Sequence, residues 1–169
     1  MRNISSQTKR LICYVLLLLS ALAFFFVNRY TGVKVSDDAL SQGIAERWNA
    51  ALPAGFTKES AEHITEDGGY NFAQLIYEKD VANYLKQWAA PTDEFIARFN
   101  ALISDQLSDP ATTEADAALI ERARPTLDAN WLCFSLQDET APENEIMLCY
   151  QRTAHTMIVA ERRIKDAET

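Results

Sequence analysis

The sequence predicts an α+β protein: a single N-terminal transmembrane helix followed by one soluble domain, with helices packed on an antiparallel β-meander. Three observations predict it. An uncharged apolar run fills residues 11–27, helical spacing of apolar residues recurs between Ser36 and Pro125, and period-two alternation takes over from Asn130.

The run LICYVLLLLSALAFFFV, from Leu11 to Val27, carries no charge. As a helix it is about 25 Å long, enough to cross a bilayer core with help from its flanks. Lys9 and Arg10 precede it while only Arg29 follows closely, so the positive-inside bias puts the N-terminus in the cytoplasm. Residues 1–10 then read as a cytoplasmic tail, 11–29 as a signal-anchor, 30–36 as a short linker and 37–169 as an extracytoplasmic α+β domain. The rival is a cleaved signal peptide with its site at Ala21-Leu22-Ala23, but the apolar run continues through Phe24, Phe25, Phe26 and Val27. Cys13, with no small residue before it, reads as an apolar residue within the membrane rather than a lipidation site.

Charge is unevenly spread. Arg2, Lys9, Arg10 and Arg29 account for 4 of the 16 basic residues, so the chain beyond Tyr30 carries 12 basic and all 24 acidic residues, a net −12. Such a surface repels phosphate backbones and attracts basic partners, which argues against nucleic acid.

Within the domain, Ser36 with Asp37 and Asp38 reads as an N-cap, and Leu40, Ile44, Trp48 and Leu52 mark the buried face of a first helix closed by Pro53 and Gly55. Asp67-Gly68-Gly69 is a turn between candidate strands Lys58–Thr65 and Tyr70–Tyr77. Val81, Tyr84, Leu85 and Trp88 follow helical spacing up to Pro91. Thr92 caps a helix whose stripe is Phe95, Ile96, Phe99, Leu102 and Ile103, and Thr113 with Asp116 forms a capping box for one that ends by Pro125. Three strands follow, at Asn130–Gln137, Glu145–Gln151 and Thr156–Arg162, with the helices on one face of the sheet. If Cys133 pairs with Cys149, then Leu132 faces Tyr150, Phe134 faces Leu148 and Leu136 faces Ile146, so six apolar residues share a face.

Cys133 and Cys149 are the cysteines outside the membrane run, and in an oxidising compartment that register predicts a disulfide. No Cys-x-x-Cys, His-Glu-x-x-His, Gly-x-Ser-x-Gly or Gly-rich phosphate loop occurs, and the two histidines, His63 and His155, leave little for a metal or nucleophile. No catalytic residue, metal or cofactor is assigned. Trp131 and Met147 fall on the cysteine side of their strands, opposite the predicted core face, and form a candidate apolar interface; Glu139 and Glu143, in the loop DETAPENE, supply a candidate charged rim. The outline of hydrophobic helix, α+β body and C-terminal cysteine pair resembles type IV pilins. However, the leader cleavage motif and the early glutamate of their mature helix are both missing, and no family is assigned.

The expected function is a membrane-tethered, non-enzymatic protein-binding or assembly module of a bacterial cell envelope. It would be single-pass in the inner membrane, with its domain periplasmic or extracellular and a protein partner of basic character. The alternatives are an inhibitor or immunity-type protein that neutralises a basic partner, and an envelope hydrolase using carboxylates or His155. A reporter active only outside the cytoplasm, fused after Thr169, is expected to be active, and extraction is expected to need detergent. Release by alkali with a mature N-terminus at Phe24 would remove the anchor.

Overall fold

The alternation in the last forty residues builds the middle of one antiparallel sheet. The computed structural model describes residues 38–65 and 68–164; the segment Leu11–Val27, its basic flanks and the linker to Ser36 lie outside them. Among the described residues no helix is long and apolar enough to cross a membrane.

In chain order the elements are α1 (Ala39–Trp48), β1 (Phe56–Glu62), β2 (Gly68–Tyr77), a 3-10 turn (Ala82–Tyr84), α2 (Asp93–Ser108), α3 (Glu114–Ala123), β3 (Trp131–Gln137), β4 (Glu145–Gln151) and β5 (Thr156–Ile164). The strand order is β1-β2-β5-β4-β3, with every pairing antiparallel, so a β1–β2 hairpin joins a β3–β4–β5 meander through β5. The register expected for the meander is the one observed: Cys133 opposes Cys149, Leu132 Tyr150, Phe134 Leu148 and Leu136 Ile146. The hairpin turn depends on Gly69, at φ +131°, where a Cβ would collide with the carbonyl oxygen of His63.

Capping chemistry is read correctly for two helices and displaced for one. Thr92 accepts the Phe95 N–H at the head of α2, and Thr113 and Asp116 form the reciprocal box that starts α3. For α1 the cap is Asp38, which accepts the Leu40 N–H, rather than Ser36; Asn49, in the left-handed region, ends the helix at Trp48. Leu52 is buried but lies beyond the helix.

Two expectations are corrected. The apolar spacing from Val81 to Trp88 makes only a 3-10 turn, because Ala89 exchanges two backbone hydrogen bonds with Cys133, at 2.7 and 3.1 Å, and draws the chain onto the β3 edge. The helices also pack on both faces of the sheet instead of one. On one face α1 and the 3-10 turn cover Ala73, Leu75, Tyr77, Leu148, Tyr150, Met157 and Val159; on the other α2 and α3 cover Phe72, Met147, Cys149, Ile158 and Ala160. A sheet with two apolar faces needs two layers, because leaving either wet forfeits about 25 cal/mol per Å² of apolar surface.

Each layer is also fixed by a buried carboxylate. Glu161, in phase with Met157 and Val159 on the α1 face, is fully buried; its oxygens accept Arg47 Nε and Nη2 at 2.6 and 2.8 Å, Trp48 Nε1 at 2.7 Å and Asn71 Nδ2 at 2.9 Å. Gly43, one turn before Arg47, leaves room for the guanidinium where a Cβ would stand 2.7 Å from Nη1. On the other face Glu145 accepts Arg98 Nη2 of α2 at 2.8 Å and Arg162 Nη2 at 2.9 Å, and Arg162 also reaches Asp105 at 3.0 Å. Arg47→Met strands the Glu161 charge and is expected to lower stability in urea melts by about 3 kcal/mol, whereas Arg47→Met with Glu161→Leu recovers most of that loss. Equal losses in the two would show that packing rather than the uncompensated charge carries the cost.

Candidate functional site

β3 is an edge strand, and its backbone shows how it is used. Cys133 sends both its N–H and its C=O outward to Ala89. Residues of one parity in a strand share a direction, so Trp131, Cys133, Ser135 and Gln137 face outward while Leu132, Phe134 and Leu136 bond β4. The Trp131 N–H is taken by the Asp128 carbonyl. That leaves the N–H and C=O of Ser135 and Gln137 without a protein partner among the described residues.

Beside this open edge lies a groove of about 340 Å³, lined chiefly by Trp48, Gln87, Trp88, Phe134, Leu136 and Leu148. It exists because α1 ends at Trp48, over the central strands, and covers β4 but not β3. Ile146, Leu148 and Tyr150 are fully buried, whereas their partners Leu136, Phe134 and Leu132 are half-buried. Both walls are fixed. Trp48 donates to Glu161, and Trp88 stacks on Phe134 with ring centroids 5.8 Å apart and planes 10° apart. The chain leading to Trp88 is held by Tyr150, whose hydroxyl donates to Asp80 at 2.8 Å and accepts the Val81 N–H at 3.0 Å. Burial pushes the Tyr150 phenol up to about 12, so it remains a donor at any physiological pH.

The predicted interface is taken apart. Trp131 is 6% exposed and Met147 fully buried beneath α2 and α3, so the patch expected on the cysteine side is core. Trp131 also starts β3 while the acidic loop leaves from its other end, roughly 20 Å away at ~3.3 Å per residue, so the predicted apolar centre and charged rim are not neighbours. Glu139 and Glu143 are exposed as expected. The loop that carries them is ordered: Asp138 accepts from Thr140, and Asn144 accepts the Ile164 N–H at 2.6 Å. It adjoins the groove at Leu136 rather than Trp131.

The chain matches no family model, no curated protein and no solved structure. Its chemistry therefore rests on its own residues. His63 Nε2 meets Asp116 Oδ2 at 2.9 Å, but the same oxygen accepts the Thr113 N–H and hydroxyl, and these bonds, led by the hydroxyl, hold the carboxyl below its usual range. Asp116 is thus occupied in capping α3. His155 sits in the β4–β5 turn at φ +50°, where its carbonyl accepts the Tyr77 N–H. No three His, Cys, Asp or Glu side chains gather as a metal-binding group among the described residues.

Cys133 and Cys149 stand opposite one another as two buried thiols. Because Cys133 bonds outward to Ala89, the pair is of the non-hydrogen-bonded kind, in which facing side chains approach most closely. Burial, and then the hydrogen bond to Cys133, push the Cys149 thiol well up, the opposite of what a nucleophilic thiolate needs. In protein taken from an oxidising compartment, titration under denaturing, non-reducing conditions is expected to find neither thiol free. Cys133→Ser should then cost about 3 kcal/mol, the cross-link closing a short loop. Two titratable thiols would remove the disulfide.

Proposed function

We propose that this protein is a non-enzymatic, membrane-tethered binding module of a bacterial cell envelope, and that it engages a protein partner through the groove beside β3. One observation carries the reading: Trp48, Trp88, Phe134 and Leu136 form an apolar surface that the domain builds but does not cover. Aromatic side chains locked by their own hydrogen bonds and stacking lose little freedom on binding, which is the property of interface anchors. The net −12 beyond Tyr30, and the exposed Glu139 and Glu143 at the groove's end, favour a partner that is basic near that end. An anchor at residues 11–29 would hold the groove at a membrane surface, raising its effective concentration toward membrane-associated partners.

A photo-crosslinking residue in place of Gln87, in the full chain in its own membranes, is expected to trap a discrete partner. The same residue at Glu114, on the far layer, is expected to trap none. Phe134→Ser should abolish the trapping without loss of fold by circular dichroism. Glu139→Gln with Glu143→Gln should slow association and flatten its salt dependence while leaving dissociation unchanged. Trapping that survives Phe134→Ser moves the contact off the groove.

A further inference from the structure

The two edges of the sheet are not alike. β1, FTKESAE, carries Lys58, Glu59 and Glu62 along its length, the usual guard against pairing with another chain. β3, WLCFSLQ, carries no charge at all. Three of its eight outward main-chain groups are used, the Trp131 N–H by Asp128 and the N–H and C=O of Cys133 by Ala89. Ser135 and Gln137 offer two donors and two acceptors beside an aromatic groove on one face of the same strand.

We propose that the groove's occupant is an extended segment of another protein that adds to β3 as a sixth strand. It pairs with the backbone of Ser135 and Gln137, lays an apolar side chain between Trp48 and Trp88, and carries basic residues at the end facing Asp138 and Glu139. This rests on the groove being the binding site and specifies what binds there.

Three features of the site converge on a strand rather than a helix or a small ligand. The unpaired groups are main-chain and spaced two residues apart, the spacing at which a neighbouring strand presents its own. The Ala89–Cys133 bridge already shows the edge accepting one such residue, and beyond it Gln87 turns away into the groove wall. Side chains of a strand alternate, so pairing along this edge sends every second one over Phe134 and Leu136. A second copy is disfavoured by charge. Pairing two copies would bring together two domains that each carry −12 beyond Tyr30.

The test uses the full chain in detergent micelles. The probe is a synthetic ten-residue peptide that alternates valine and threonine around one phenylalanine, with two lysines at each end. Two control peptides carry backbone N-methyl groups at alternate residues, or glutamate for lysine. The lysine peptide is expected to slow amide exchange at Ser135 and Gln137 at least tenfold. Both controls are expected to bind at least tenfold more weakly.

Ser135→Pro removes only an outward N–H, which an edge strand tolerates. It is expected to weaken the lysine peptide tenfold with the circular dichroism and melting curve retained, and Gln137→Pro serves as the second such variant. If the N-methylated peptide binds as well as its parent, or no peptide binds while Gln87 still traps a partner, strand addition is wrong and the groove reading stands. If Gln87 traps nothing either, both fall. Protection of Ser135 and Gln137 without peptide overturns the proposal in favour of a second copy when it rises with protein concentration, and of the chain's own segment when it does not.

Discussion

A carboxylate with no solvent contact sits on the central strand of the sheet, and the geometry of one whole face depends on it. Glu161 occupies a position that alternation reserves for an apolar side chain, between Asn71 and Ile146 on the neighbouring strands. A lone charge there would cost several kcal/mol. The fold meets that cost with four hydrogen bonds from three residues, two of them on α1. The orientation of α1 on the sheet is therefore set by directional bonds as well as by packing. Asn71 extends the network to the hairpin by accepting the His63 N–H at 3.1 Å.

The second face repeats the device with different parts. Glu145 binds Arg98 of α2 and Arg162 of β5, and Arg162 binds Asp105 and the Glu143 carbonyl as well, so the helix, the central strand and the acidic loop meet at one cation. These are partly buried pairs in which each Glu145 oxygen accepts from a different arginine, so the carboxylate ties two elements together as well as tolerating burial. A three-layer domain has two sliding interfaces, and apolar contact alone resists sliding weakly. One carboxylate in each interface removes that freedom.

Rigidity of this kind has a consequence at the edge of the sheet. Trp48 cannot turn to cover β3, because its indole N–H is committed to Glu161. Trp88 cannot turn either, held by its stack on Phe134 and by the Ala89–Cys133 bridge. The half-covered stripe of Leu132, Phe134 and Leu136 is thus a product of how the core is fastened. In the binding role proposed for it, an acidic surface would keep such a stripe from collecting chains indiscriminately while leaving it open to a segment of opposite charge.

By itself the sequence determined the three strands of the meander, the register of β3 on β4 and two of the three helix caps, because these follow from local rules. Period-two alternation from Leu132 to Leu136 and from Ile146 to Tyr150 admits one in-phase pairing, and Thr113 with Asp116 needs only its own backbone to form a box. Alternation also carried an unused signal: Glu161 is in phase with Met157 and Val159, which marks it as a buried charge in need of partners. What only the tertiary structure decided is which faces are covered. Val81 to Trp88 has helical spacing but gives up the helix for two backbone bonds to Cys133. Trp131 and Leu132 alternate as expected, yet the layer of α2 and α3 reaches β3 and α1 does not, so the core side and the open side are exchanged. Coverage depends on where a helix ends in space relative to a strand distant in sequence, and no local pattern encodes that distance.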